Sequence, residues 1–241
     1  RDAPVRVLAR ILEDFCTVSL DTSGEPLHRR GHRPDVGKAP LRETLAALAL
    51  RACGFRGTET VIDPMCGSGT IALEAAEIAA GLHPGRSRRF AFESLAGFDA
   101  DAWADMRQTA APAPAPPVFG FDRDAGAIET ARANARRSGV ESIAAFAAQP
   151  ISALEPPRGS IPGLVLVNPP YGERIGETGS LHALYATLGR ILKERFAGWR
   201  AGVITSEPGL ARATGLPFVR TGPPVPHGNL RIRLSSTAPL G

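Results

Sequence analysis

Apolar and polar positions along the chain follow two alternating rhythms. Short apolar runs end at Val61-Ile62 and recur at Val118–Phe121, Ile143–Ala148, Leu164–Val167 and Gly202–Thr205, and they read as buried strands. Between them, Pro40–Ala52, Ile71–Gly81, Ala100–Ala110, Asp124–Ser138 and Leu181–Phe196 carry helical spacing. Pro40 reads as a first-turn residue, and Gly54, Gly139 and Gly198 read as helix stops. Two more strands, Phe218–Thr221 and Asn229–Ser235, follow each other through Pro-rich turns with no room for a helix. Ahead of all this, Asp14–Asp21 alternates, Thr22-Ser23-Gly24-Glu25 turns, and Pro26–His32 reads as the second arm of a hairpin. Ala111–Pro117 is an Ala-Pro connector, and Arg86–Gly97 carries no assignable element.

Strands alternating with helices imply right-handed crossovers and a mostly parallel sheet covered on both faces. The expected architecture is α/β and seven-stranded, with an antiparallel pair at one edge and a short β-hairpin in front. Residues 1–39 form the hairpin extension and linker, and residues 40–241 the main domain. A ligand belongs over the carboxyl ends of the parallel strands.

Composition narrows the setting. With 241 residues and 43% apolar content the chain can bury one sizeable core. It has neither an eighteen-residue apolar run nor a signal-like start, so a cytoplasmic protein is expected. Cys16, Cys53 and Cys66 form no CxxC pattern, so neither a disulfide framework nor a metal site is indicated. The net charge of +4 rests on arginine, with Lys38 and Lys193 as the lysines. That is compatible with phosphate binding. The chain opens on Arg1, so a missing N-terminal part is expected.

Three strings carry candidate chemistry. In Val61-Ile62-Asp63-Pro64-Met65-Cys66-Gly67-Ser68-Gly69-Thr70, a strand runs into a helix through a turn whose glycines let the main chain approach a ligand. Asp63 can accept from a cationic or amino-bearing group. Asp122 follows its strand about sixty residues later, against the roughly twenty of a dinucleotide fingerprint, and the Arg86–Pro117 stretch accounts for the difference. At a strand's carboxyl end its carboxylate can take both ribose hydroxyls, while Asp124 better suits the helix cap. The third string, Asn168-Pro169-Pro170-Tyr171-Gly172, follows an apolar strand. Its prolines stiffen the turn, and it suits a planar amino group held by the Asn168 side-chain oxygen and the Pro169 carbonyl, with Tyr171 stacked on the heterocycle. A nitrogen so held is in line with an electrophilic methyl.

With these strings in view, the chain resembles the THUMP-associated RNA guanine-N2 methyltransferases, in particular the bacterial large-subunit ribosomal RNA enzymes. Further matching pieces are Leu27–Arg33, Lys38–Ala46, Pro84-Gly85 through Glu93, Asp122-Arg123-Asp124 and Asn168–Arg174. The resemblance implies the class I methyltransferase sheet, which the antiparallel ending also suits better than a dehydrogenase sheet. It implies S-adenosylmethionine as cofactor, cradled by Asp63, Pro64, Cys66, Gly67, Ser68, Gly69 and Thr70, with its ribose on Asp122 next to Arg123. Asn168, Pro169, Pro170 and Tyr171 would hold the target base, with Asn168 also at the cofactor's edge. Where such enzymes place an acidic residue on the adenine amino group, this chain has Gln149, whose amide oxygen can accept the same bond. The family's THUMP domain precedes the hairpin, and this sequence has no room for one, so a catalytic fragment or a minimal relative with weakened RNA binding is expected.

Charge alone nominates Arg29, Arg30, His32, Arg33, Arg86, Arg88 and Arg89 for RNA contact. A solvated edge strand is the alternative for the first four. His182 and Tyr185 read as ordinary helix residues, Cys66 as a thiol with no activating base, and His227-Gly228-Asn229 as a turn. The same Asn-Pro-Pro-Tyr turn also serves tRNA guanine-N2, adenine-N6 and glutamine-N5 methylation. A non-catalytic RNA-binding or ribosome-assembly module is the alternative of another class.

Overall fold

The computed structural model describes residues 5–31, 41–107, 115–171 and 178–241. The parallel strands are β3 (Val61–Asp63), β4 (Val118–Asp122), β5 (Ala144–Ala148), β6 (Leu164–Val167) and β7 (Arg200–Thr205). They lie in the order β5-β4-β3-β6-β7, and the sheet continues through β10 (Leu230–Thr237) to β8 (Phe218–Thr221). β10 runs antiparallel to both its neighbours, so the last strand in sequence is inserted beside β7 and the earlier β8 forms the edge. The expected α/β class and antiparallel edge are present.

Period two decides which side chain meets which layer. Val61, Leu164 and Leu166 point into a core shared with α1 (Glu43–Ala52), α2 (Thr70–Ala79) and α4 (Ala125–Ser138). Their neighbours Ile62, Val165 and Val167 point into a second core under α5 (Thr178–Arg195) and α6 (Pro208–Ala213). All four residues of β6 are buried, which is why the central strands read as unbroken apolar runs. Asp124 caps α4 by accepting from Gly126 N at 2.8 Å, and Gly139 closes it at φ 71°. α3 (Ala100–Arg107) buries no residue outright; Trp103 holds it to Phe90 and Phe92 with edge contacts.

Several expectations need correction. The hairpin consists of β1 (Arg6–Leu12) and β2 (Phe15–Asp21), joined at Glu13-Asp14, and Pro26–Gly31 is not a strand. Both turn residues have positive φ, 48° and 61°, the geometry of a tight primed turn. Neither is glycine, so the turn has no marker in the sequence. Val7, Ala9 and Ile11 sit opposite Leu20, Val18 and Cys16, giving the hairpin one wholly apolar face that is exposed. α6 and β9 (Val225–His227) were not expected; the first is too short for a helical pattern, and the second is masked by prolines. The first-turn role for Pro40, residues 108–110 of the expected α3 and most of the Ala-Pro connector lie outside the described residues. No helix among the described residues is long and apolar enough to cross a membrane.

Candidate functional site

The carboxyl ends of β3, β4, β5 and β6 open on one rim, and the loop after β3 sits at its centre. Asp63 ends β3 fully buried and accepts from Met65 N at 3.2 Å. Burial pushes its carboxyl up to about 8; the Met65 N–H pulls the other way, and the charge of Asp122 adds to the rise. Gly67 and Gly69 hold φ values of 53° and 91°. A Cβ on Gly69 would meet Ala131 and Phe146 at 3.2 Å, whereas one on Gly67 would meet nothing within 4 Å. Gly69 is therefore needed for packing, and the open side of the loop is at Gly67. Thr70 starts α2, with Pro64 and Ser68 buried beside it.

Asp122 and the loop are joined directly. Gly67 N donates to Asp122 Oδ2 at 2.9 Å and Asp124 N donates to Oδ1 at 3.0 Å. Each carboxylate oxygen takes one N–H and retains acceptor capacity for a hydroxyl. Gln149 N bonds the Asp122 carbonyl at 2.8 Å, which brings the expected adenine contact next to the expected ribose contact. Arg123 is exposed beside them. Cys66 is buried, its N–H donates to Phe121 O at 2.8 Å, and burial pushes its thiol far up, consistent with a packed and unreactive sulfur.

Two supporting residues escaped the sequence reading. Asn134 on α4 is fully buried and donates to Ser68 O at 3.0 Å, propping the loop from below. Tyr185, on the buried side of α5, donates to Pro170 O at 3.3 Å. A polar residue on the apolar face of each helix was the available signal.

The Asn168–Tyr171 turn leaves β6 on the strand next to β3. Pro169 is buried and Pro170 exposed. Burial raises the pKa of the Tyr171 hydroxyl, and a hydrogen bond with the Asn168 side chain opposes the rise. Asn168 Oδ1 is buried with no partner among the described residues. The Tyr171 ring is half-buried against both cores. Gly172 and Arg174 lie outside the described residues.

The arginines nominated by charge divide. Arg30 meets Glu74 through Nε and Nη2, both at 3.1 Å, with side chains 9% and 6% exposed. Arg86 donates to Glu77 at 3.1 Å and to Ser138 O at 2.8 Å. Arg88 is buried over the Phe90 ring and donates to the carbonyls of Ser23, Glu25, Pro26 and Arg29. These three brace the segment before α1 and the segment after α2, and Arg88 spends all five of its N–H donors on backbone carbonyls, which leaves it none for phosphate and corrects its reading as an RNA contact. Arg29 and Arg89 are exposed, each beside a glutamate four residues away, and His32 and Arg33 lie outside the described residues.

Comparison with known proteins agrees with this geometry. Residues 30–221 match the model of the UPF0020 family, described as an RMKL-like methyltransferase domain. The "Ribosomal RNA large subunit methyltransferase K/L" of Vibrio campbellii is 41% identical over 210 residues, covering 84% of this chain and 30% of that protein. Among solved structures, a possible methylase from Clostridium difficile 630 superposes with a TM-score of 0.87 at 31% identity, over 98% of this chain and 62% of that one. SMU.472, assigned provisionally as a methyltransferase and solved in complex with SAH, gives 0.84 at 27% identity over the same shares. This chain thus spans under a third of the length of the relative and under two thirds of each structure. A glycine loop tied to a second-strand carboxylate, beside an Asn-Pro-Pro-Tyr turn and within a match over most of the chain, has one reading: the chain belongs to the UPF0020 family of RMKL-like methyltransferase domains.

Proposed function

We propose that this chain is an S-adenosylmethionine-dependent RNA methyltransferase acting on the exocyclic N2 of a guanine in large-subunit ribosomal RNA. The observation that carries the reading is the buried, unpartnered Asn168 Oδ1 at the rim of the sheet, beside the loop that Asp122 anchors. A dry acceptor without a donor costs about 1–3 kcal/mol, so it suits a donor that a ligand brings. The cofactor, when bound, supplies an electrophilic methyl group. Asp63 would take its amino group, Asp122 its ribose hydroxyls and Gln149 its adenine amino group, while open space at Gly67 leaves room for the chain between them.

Asn168 Oδ1 and the Pro169 carbonyl hold a planar amino group by its N–H bonds. Positive charge grows on that nitrogen as it gains the methyl, and two oxygen acceptors stabilise it more than they stabilise the neutral amine. Tyr185 keeps the turn in place through Pro170. The ribosomal RNA named in the relative's description supports the substrate class.

Changing Asn168 to Ala should cut turnover more than tenfold and leave affinity for S-adenosylhomocysteine within about twofold, because the interaction lost is one with the reacting nitrogen. A fully active variant overturns the assignment. Mass spectrometry of nucleosides from ribosomal RNA treated with the chain decides the target atom: N2-methylguanosine is expected, and N6-methyladenine or a methylated protein rejects it.

A further inference from the structure

The last part of the chain is electrically lopsided. From residue 201 onward it contains Arg212, Arg220, Arg231 and Arg233 against Glu207 alone, which makes +3 of the chain's +4. Two of these arginines sit at a particular height on the sheet. β10 runs against β7 with Arg233 opposite Thr205, the last residue of β7, so Arg231 lies beyond the carboxyl end of that strand. There β9 pairs with β10, Arg231 opposite Pro226, and the two strands stand as a hairpin above the rim. The register of β6 and β7, Val167 opposite Val203, sets Asn168 level with Ile204. Two strand spacings, about 10 Å, therefore separate the Asn168 backbone from β10 near Arg233.

The hairpin is anchored from one side only. Ile232, Leu234 and Val225 pack into the core under α1. Arg231 and Arg233 alternate with them, are exposed, and form no ion pair among the described residues; Arg233 reaches only the Gly222 carbonyl, at 3.4 Å. Arg42, exposed ahead of α1, is close enough to His227 on β9 for its charge to add to the burial that lowers the histidine's pKa. Cationic groups thus stand on both sides of the hairpin, with no carboxylate between Arg220 and the end of the chain.

We infer that the β9–β10 hairpin, through Arg231 and Arg233 with Arg42 at its foot, is a contact surface for RNA backbone phosphates flanking the base held at Asn168. The inference rests on the RNA reading above and adds where the strand lies: on the target side of the sheet, across from the cofactor loop. Guanidinium groups within arm's length of the reacting base neutralise the phosphates that must approach when that base leaves its stack. Arg88, buried with every N–H donor taken by a backbone carbonyl, cannot do this.

The test uses the whole chain and a fragment of large-subunit ribosomal RNA as probe, comparing Arg231→Glu/Arg233→Glu with Arg10→Glu/Arg158→Glu, which makes the same charge change at two other exposed sites. Affinity is read as a function of salt, with S-adenosylhomocysteine binding as the check on folding. The hairpin variant should bind RNA roughly tenfold more weakly at about 100 mM salt, with a salt slope shallower by about 1.5, and should keep its affinity for S-adenosylhomocysteine. Equal losses in both variants, or none in the hairpin variant, overturn the hairpin as the contact surface and leave the RNA reading intact. A parent chain that binds no RNA even at about 20 mM salt overturns both.

Discussion

Asp63 is buried without a cationic partner among the described residues, and this has a consequence in solution. With its carboxyl pushed up to about 8 from an ordinary 3.8, the group is mostly protonated at pH 7 in the ligand-free protein. Holding a cationic amino group requires the ionised form, so cofactor binding should expel a proton. Titration calorimetry in buffers of different ionisation enthalpy should show close to one proton released at pH 7, and Asp63→Asn should abolish the release. For stability the sign is opposite: the unfolded carboxyl ionises near 3.8, so the contribution of Asp63 is full below that pH and is lost as pH rises through about 8. The places of Asp63 and Asp122 at strand ends on the rim were readable because each depends on its own strand and turn. The roles of Asn134 and Tyr185 were not, since each acts on a carbonyl contributed by a distant segment.

At the level of elements, the clasp around Arg88 holds together two stretches that have almost no regular structure. Residues 23–30 follow β2 as turns, and the carbonyls of Ser23, Glu25, Pro26 and Arg29 converge on this one guanidinium. Replacing Arg88 with Met keeps much of the side-chain volume and strands the carbonyls. We expect a loss of about 2–4 kcal/mol in urea unfolding and faster proteolysis between residues 22 and 31, with α4 and the parallel strands unaffected. Charge in the sequence gave the wrong role for this arginine because a run of basic residues looks the same whether it faces water or carbonyls. The helices α1, α2, α4 and α5, in contrast, were legible to within a few residues, since each has a continuous apolar face and most have a marked stop. The hairpin was misplaced because its turn uses Glu13 and Asp14, residues that do not advertise a positive φ.

Across the whole molecule, the sheet and the β1–β2 hairpin are different kinds of structure. Every residue of β1 is exposed, as is all of β2 except the half-buried Asp21, so the hairpin adds nothing to either core. Deleting residues 1–21 should leave the thermal midpoint within about 2 °C and should raise solubility, because an uncovered two-stranded ribbon is a template for association. The strand order could be anticipated as far as its parallel half, where helix crossovers constrain it; the insertion of β10 between β7 and β8 depends on contacts between strands that the local pattern does not encode. That insertion has a further effect. Because β10 enters the sheet from the rim instead of leaving through it, the chain reverses at Gly228-Asn229 in open solvent, where no other element depends on its length. Lengthening this tip would cost only about 0.6 kcal/mol for each doubling of the loop. The part of the rim beyond β7 can therefore change its reach and chemistry while the strands beneath it keep their register.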